Sequence, residues 1–261
     1  MADGVQLALG FGLAALVGVA AWRTGALAPS GALAAALVGG LLFGFGGAAG
    51  AVLLLAFFVS SSGLSRAFAA RKADLAEKFE KGSRRDWAQV LANGGVAAFC
   101  AVLLPLFPDA AWPWLALAGA LATANGDTWA TELGTLSRRT PFLITTLEPV
   151  PRGTSGGVTQ AGTLATLAGA ALIGMLAANF LPQFAPARLI LAVTFAGFGG
   201  AFVDSLLGAT VQGIYRDADG RETEKRPAPD AVPLRGFAAF NNDVVNFLAT
   251  AAGALIAVLL G

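Results

Sequence analysis

The 261-residue sequence contains no histidine, one cysteine and one tyrosine, and only 13% of its residues are charged. Without histidine the chain cannot form a Ser-His-Asp triad, a histidine-ligated metal site or a histidine base. The single cysteine, Cys100, excludes a disulfide within the chain, and its place in an apolar stretch predicts a small packing residue. Carboxylate, amide and hydroxyl groups therefore remain as the candidates for chemistry.

Apolar residues dominate what is present. They make up 56% of the sequence, which also has 34 glycines and a mean hydropathy of +0.69. These values are typical of helical membrane proteins, in which a spanning helix needs roughly 20 mostly apolar residues. We predict an all-α, polytopic transmembrane protein with seven or eight spanning helices in a single membrane domain over residues 1–261.

The candidate spans follow one another with short connections. They are Val5–Ala21, Ser30–Phe45, Gly50–Ser61, Gln89–Phe107, Trp114–Leu133, Gly162–Phe180, Leu189–Ala209 and Phe237–Leu260. The second and third are separated only by the glycine-rich break Gly44–Gly50. This pair is expected to form a tight hairpin or to include a re-entrant piece.

Basic residues are distributed asymmetrically between the two sides of this arrangement. Seven of the 17 Lys and Arg residues lie in the loop 66–87, three in 135–158 and five in 212–236. With eight spans, these three loops share one side with Arg23, and only Arg188 lies on the other. The positive-inside rule makes the basic side cytoplasmic and leaves both termini outside. The prolines, glycines and acids of the loop 212–236 further predict a flexible, solvated connection.

Polar residues gather at the predicted cytoplasmic ends of the spans. They are Gln89, Asn93, Asn125, Asp127, Thr128, Glu132, Asp204, Ser205, Asn242, Asp243 and Asn246. Ionisable groups at membrane depth are costly, so such a cluster is by default a functional-site hypothesis.

Two carboxylates on one helix, Asp127 and Glu132, have hydroxyl and amide neighbours that suit a hard cation such as Mg²⁺. A neutralised polar helix interface is the competing interpretation. Asp204 and Asp243 are each a candidate metal ligand or base, or else half of an interhelical hydrogen bond. Gln89 and Asn93 share a helix face and either bind a polar head group or pack between helices. Among the basic residues we select Arg85, which stands close to a membrane entry and can attract an anionic lipid or nucleotide.

A glycine-rich segment precedes the sixth predicted span. It consists of Arg152, Gly153, Thr154, Ser155, Gly156, Gly157 and, after Val158, Thr159. Consecutive backbone N–H groups, the start of a helix and an arginine together can bind phosphate oxygens. A plain loop-to-helix turn with Thr154 or Ser155 as the cap is an equal alternative.

Five motifs occur in the order found in a known family. They are SSSGLSR from Ser60, QVLANGG from Gln89, DTWATE from Asp127, GTSGGVT from Gly153 and DSLLGAT from Asp204. On these motifs nearly the whole chain resembles the integral-membrane group that includes plant phytyl-phosphate kinase, animal transmembrane protein 19 and uncharacterised bacterial members.

The resemblance implies phosphoryl transfer from a nucleoside triphosphate, expected to be CTP, to an isoprenyl monophosphate such as phytyl phosphate. We then expect Asp127, Glu132 and Asp204 to hold Mg²⁺, with Asp243 as a fourth catalytic candidate. The remaining polar residues and the glycine-rich segment would bind substrate or nucleotide at the cytoplasmic face of a bacterial inner membrane. No nucleic-acid partner is expected, and a homo-oligomer stays open.

Three alternatives accompany this interpretation. A transporter also combines glycine-broken spans with intramembrane acids, although its site usually lies near the midplane. A CTP-dependent lipid cytidylyltransferase would release pyrophosphate instead of a nucleoside diphosphate. A catalytically silent membrane scaffold is least consistent with four interfacial acids.

Overall fold

The computed structural model describes residues 4–69, 84–182, 184–228 and 230–261, and they form a bundle of long helices. The predicted first loop falls largely in 70–83, outside the described residues. The helices are α1 (Gly4–Arg23), α2 (Pro29–Phe68), α3 (Trp87–Leu103), α4 (Trp112–Gly134), α5 (Gln160–Phe180), α6 (Pro186–Thr210) and α7 (Asn242–Leu260). A short 3₁₀ turn, Leu104–Leu106, follows α3.

The 40-residue α2 is two antiparallel limbs joined at Gly47, whose φ of 57° and ψ of −150° are not helical. A methyl group built on Gly39 would lie 3.6 Å from Leu54 Cδ2, and one on Gly50 would meet the carbonyl oxygen of Leu42. Residues 15 apart in a straight helix are about 22 Å apart, so the second limb must fold back along the first. The predicted tight hairpin is therefore what the chain forms.

Six helices in the described part of the chain are long and apolar enough to cross a membrane. α2 counts once among them, although its limbs 29–46 and 48–68 each have about the length that a crossing needs. α4 has 23 residues, but its polar side chains keep it out of that set. With the two limbs and α4 counted, the predicted seven to eight spans agree with the bundle. The prediction of an all-α polytopic membrane protein is confirmed.

The polar helix α4 lies in the middle of the bundle, against α2, α3, α5, α6 and α7. Its residues 115–126 are all buried, which is why this helix need not be apolar enough to face lipid. Small residues permit the close approach: a methyl group built on Gly119 of α4 would lie 2.5 Å from Ala257 Cβ of α7, and one built on Gly197 of α6 would lie 2.8 Å from Ala122 Cβ of α4. Such contacts drive helix association in membranes, where the hydrophobic effect is absent.

One end of the bundle carries the loops and most of the polar side chains, and we call it the polar end. Here α1, α4 and α6 end, α3, α5 and α7 begin, and α2 both begins and ends. Two short antiparallel pairs lie in its loops: β1 (Phe142–Leu143) with β2 (Gly157–Val158), and β3 (Tyr215–Arg216) with β4 (Glu222–Thr223).

Two expectations about the segment before α7 are corrected. The connection 212–236 is not solvated throughout, because Gln212, Ile214 and Tyr215 at its start are buried, and Gln212 and Ile214 form bridges with Phe237 and Arg235. The last helix begins at Asn242 instead of Phe237, since the backbone of residues 237–240 bonds back to residues 211–213. Asn241 then caps α7 by accepting a hydrogen bond from the backbone N–H of Val244.

Replacing Gly47 by alanine should lower the apparent melting temperature of the detergent-solubilised protein, measured by circular dichroism. The backbone at Gly47 lies in a region that other residues enter only at a cost of about 1–3 kcal/mol. Gly12→Ala is the matched control, because a methyl group there meets no atom within 4 Å and improves helix propensity. Equal melting temperatures for the two variants would show that the turn does not depend on glycine.

Candidate functional site

Carboxylates from three separate segments converge at the polar end. Asp204, near the end of α6, interacts electrostatically with Asp127 of α4 and with Glu224, which follows β4. Asp204 Oδ2 is buried and has no hydrogen-bond partner among the described residues. Buried charges of one sign are costly unless a cation or a shared proton compensates them. These carboxylates are therefore expected to be compensated by a bound cation or by a shared proton.

The donor set of this cluster fits Mg²⁺, which proteins usually bind through one or two carboxylates plus substrate phosphate oxygens. Within the described residues no three His, Cys, Asp or Glu side chains already stand in a metal-binding arrangement. The Asp127–Asp204 pair could thus supply part of a coordination shell that a phosphorylated substrate completes. The predicted third ligand, Glu132, has other neighbours: its Oε1 accepts a 2.8 Å hydrogen bond from Ser65, and it interacts electrostatically with Arg85.

Asn125, one of the predicted binding residues, is used inside the bundle. Its Nδ2 donates to the carbonyl oxygen of Gly169 at 2.7 Å, and its Oδ1 accepts from Ser60 at 2.9 Å and Ser61 at 3.3 Å. Trp129 Nε1 donates to the same Ser60 hydroxyl. This hydrogen-bonded cluster, in which Asn125 and Ser61 are fully buried, ties α4 to α2 and α5. It accounts for Asn125 as a structural residue that holds the helix of Asp127 in place.

The glycine-rich segment is docked on the end of α6. A methyl group built on Gly156, whose φ is +80°, would lie 2.5 Å from Ala209 Cβ, and one on Gly208 would lie 2.7 Å from Ser155 Oγ. The Ser155 hydroxyl donates to Gln212 Oε1 at 2.7 Å. Loop and helix end therefore form one packed unit, directly after the turn of α6 that carries Asp204 and Ser205.

Arg235 holds this unit together. Its Nη1 donates to the carbonyl oxygens of Gly208 and Ala209, at 2.9 and 2.8 Å, and its Nη2 donates to that of Ser155 at 3.0 Å. A cation at the carboxyl end of a helix satisfies its terminal carbonyls and complements the helix dipole. No periodic pattern marks Arg235 in the sequence, so only the folded chain identifies it.

The segment also forms one wall of a small pocket. Gly153, Thr154 and Ser155 face Glu222, Thr223 and Glu224 across it. Because Glu224 also belongs to the acidic cluster, the pocket and the carboxylates adjoin. Glu224 was not among the predicted residues, since a lone acid in a loop carries no motif.

The structure corrects or refines three predictions about the glycine-rich segment. The cap of α5 is Thr159, which accepts from the Gly162 N–H at 3.0 Å, and not Thr154 or Ser155. Gly157 lies in β2, and its N–H donates to Thr154. Arg152 is exposed beside the loop.

The predicted polar residues of α3 lie at its first two turns. Asp86 and Gln89 form a capping box, in which Gln89 Oε1 accepts from the Asp86 N–H at 3.1 Å. Asn93 Nδ2 donates to the carbonyl oxygen of Gln89 at 2.9 Å. Arg85, just before the helix, lies with its guanidinium 5.2 Å from the centre of the Phe57 ring. Burial lowers the pKa of Arg85 to about 10, which leaves it charged at neutral pH.

The remaining candidates occupy the same end of the bundle. Asp243 is buried in the first turn of α7, and Asn246 donates to the carbonyl oxygen of Asn242 one turn earlier. Thr128 donates to the Ala124 carbonyl oxygen within α4. All the predicted site residues thus lie towards the polar end, although several of their polar groups serve local structure.

A bundle of apolar helices with an acidic cluster and a docked glycine-rich loop at one end defines a polytopic integral membrane protein with an interfacial polar site. The chain belongs to the family described as Integral membrane protein DUF92, which matches residues 12–254.

Curated relatives span distant organisms. Protein PGR of Arabidopsis thaliana is 33% identical over 90% of this chain and 89% of its own length. An uncharacterized membrane protein of Methanocaldococcus jannaschii is 33% identical over 88% of this chain and 84% of its own. The chloroplastic Protein VTE6 of Arabidopsis thaliana is 29% identical over 90% of this chain and 65% of its own. No solved structure matches.

Gly156→Ala should make the glycine-rich loop more accessible, measured as faster trypsin cleavage after the exposed Arg152. Gly220→Ala is a matched control, since Gly220 has a nearly equal φ of +81° but a methyl group there meets no atom within 4 Å. The difference between the two variants therefore reports the contact with Ala209 and not the backbone strain. Equal cleavage rates would contradict the docking of the loop on α6.

Proposed function

We propose that this protein is a membrane kinase that transfers a phosphoryl group from a nucleoside triphosphate to an isoprenyl monophosphate. The observation that carries the proposal is the meeting of two features at Glu224. This residue belongs to the carboxylate cluster of Asp127 and Asp204 and also lines the pocket beside the glycine-rich loop. A site for a cation and a site for phosphate oxygens would then be neighbours.

The family relationship supports the same reaction class. The motifs resemble a group that includes plant phytyl-phosphate kinase, and a chloroplastic protein, VTE6, is among the relatives. CTP as donor, the cytoplasmic face and the bacterial inner membrane stay proposals drawn from the resemblance and from the basic loops. A homo-oligomer stays open.

In this mechanism Asp127 and Asp204 would hold Mg²⁺, which would neutralise charge on the transferred phosphoryl group. The backbone of Gly153–Ser155 would bind nucleotide phosphate oxygens, with the exposed Arg152 at the loop's edge. Arg235 would keep that loop against α6, so that its distance from Asp204 stays constant. Glu132 and Asp243 would shape the charge around the site.

An oxygen of the isoprenyl monophosphate would bond to the γ-phosphorus, and the bond from that phosphorus to the β–γ bridging oxygen would break. The products are an isoprenyl diphosphate and a nucleoside diphosphate. Because the attacking oxygen is already anionic, the chain needs no strong base, which agrees with its lack of histidine. Positioning and charge stabilisation supply most of the catalysis in phosphoryl transfer.

Asp127→Asn and Asp204→Asn should each reduce turnover by about 10²–10³-fold, because each removes a charge that would hold the metal. The assay follows γ-labelled CTP or ATP into the lipid phase in detergent with Mg²⁺ and phytyl or geranylgeranyl monophosphate. Asp219→Asn is the matched control, since Asp219 is exposed at the tip of the β3–β4 loop. Unchanged melting temperatures would show that all three variants are folded.

Full activity in both variants would remove the Asp127–Asp204 pair from the mechanism. Release of labelled pyrophosphate, with the nucleoside monophosphate on the lipid, would identify a cytidylyltransferase instead. If the wild-type protein neither bound nor turned over any nucleotide, the kinase proposal would fail and the transporter hypothesis would be favoured.

A further inference from the structure

An apolar cavity whose lining includes none of the three clustered carboxylates lies between α1, both limbs of α2 and α3. Its volume is about 980 Å³, counting the space on its open side. Side chains such as Leu13, Val17, Val38, Leu54 and Phe58 form its walls. A cavity with such a lining takes an apolar ligand, because water finds no partners there.

The polar lining of this cavity is confined to Arg85, Gln89 and Asn93. All three precede or begin α3, so they lie together at the polar end while the rest of the cavity extends into the bundle. An apolar space with polar groups gathered at one end matches an amphipathic molecule that has a compact head and a long apolar tail.

The polar residues of the cavity lining favour a ligand with an anionic head group. The Arg85 guanidinium lies over the Phe57 ring and makes no hydrogen bond or ion pair with other described residues. Gln89 Oε1 is occupied by the capping box, so the Nε2 donors are the part of the side chain left for a ligand. A charged guanidinium beside amide donors suits a phosphate.

We infer that this cavity binds the isoprenyl tail of the substrate and that Arg85, with Gln89, receives its phosphate. The inference rests on the proposed function and assigns the lipid substrate a place separate from the nucleotide pocket. Arg85 interacts electrostatically with Glu132, which lies on the same helix as Asp127. A phosphate at Arg85 would therefore lie at the border between the apolar cavity and the acidic face of α4.

The cavity ends near Phe43, at the end of the bundle opposite Arg85. Along α1 the lining extends from Gly18 to Gly10, eight residues or about 12 Å of helix. There Phe43 closes the space beside Gly10, whose added methyl group would lie 3.3 Å from Phe43 Cδ1. A tail longer than this space would have to leave through the open side of the cavity.

Filling the cavity should discriminate between long and short substrates. Ala14→Phe on α1 and Ala51→Phe on α2 place a ring in the lining, whereas Ala15→Phe and Ala48→Phe place it on exposed neighbouring positions. We expect the two lining variants to raise KM for geranylgeranyl monophosphate about tenfold or more, with little change for dimethylallyl monophosphate. The two control variants should stay within about twofold of the wild type for both.

A binding measurement without nucleotide separates this inference from the kinase proposal. The probe is a geranylgeranyl monophosphate analogue with a diazirine at the tail end, crosslinked by light and mapped by mass spectrometry. We expect label on α1 and on α2 near Phe43, lost in the lining variants and weakened about tenfold in Arg85→Gln. An uncharged geranylgeraniol analogue should not distinguish Arg85→Gln from the wild type.

The two proposals then fail in different ways. Wild-type turnover with unchanged KM in both lining variants, or label confined to other helices, would overturn the tail site and leave the kinase standing. Equal labelling by a diazirine phosphatidylcholine would also overturn it, since the cavity would then be a nonselective lipid crevice. Selective labelling without any phosphoryl transfer would retain the tail site and reject the kinase.

Discussion

Close packing of small residues around α4 is the constraint on which the rest of the structure depends. Glycines and alanines of α5, α6 and α7 approach α4 so closely that it is removed from lipid over most of its length. A helix in that position can carry Asp127 and Glu132, because their solvation is supplied by protein groups and by the open polar end. The same carboxylates on a lipid-facing helix would carry a large desolvation cost.

Two hydrogen-bonded clusters then fix the site relative to this central helix. The hydrogen-bonded cluster around Asn125 joins α4 to α2 and α5. Both Nδ2 and Oδ1 of the Asn125 amide have hydrogen-bond partners inside the bundle. Arg235 joins the end of α6 to the glycine-rich loop by three hydrogen bonds. Neither cluster needs to touch a substrate. Their physical role is to hold Asp127, Asp204 and the loop at constant separations, which the proposed catalysis by positioning would require.

The bundle also keeps an apolar environment and a charged environment apart. The cavity between α1, α2 and α3 is apolar except at Arg85, Gln89 and Asn93, whereas the carboxylate side presents charge and backbone donors. An enzyme acting on a lipid phosphate and a nucleotide needs both environments within reach of one reacting atom. The glycine hinge at Gly47 contributes to this arrangement, because it folds α2 so that one limb packs on α1 while the other carries Ser60 and Ser65 towards α4.

Hydropathy, glycine content and basic-loop asymmetry sufficed to predict the membrane class, the span count and the gathering of polar residues at one end. Those properties depend on the composition of consecutive segments of the chain, so they can be predicted without knowing which helices are in contact. The sequence alone could not separate Asn125, Thr159 and the side-chain Oε1 of Gln89, which serve packing and capping, from Asp204, whose Oδ2 has no partner among the described residues. It also missed Glu224 and Arg235 and could not reveal the apolar cavity. The hydrogen-bond partners of a side chain and the position of a cavity depend on contacts between residues far apart in the chain. Only the tertiary packing therefore decides them.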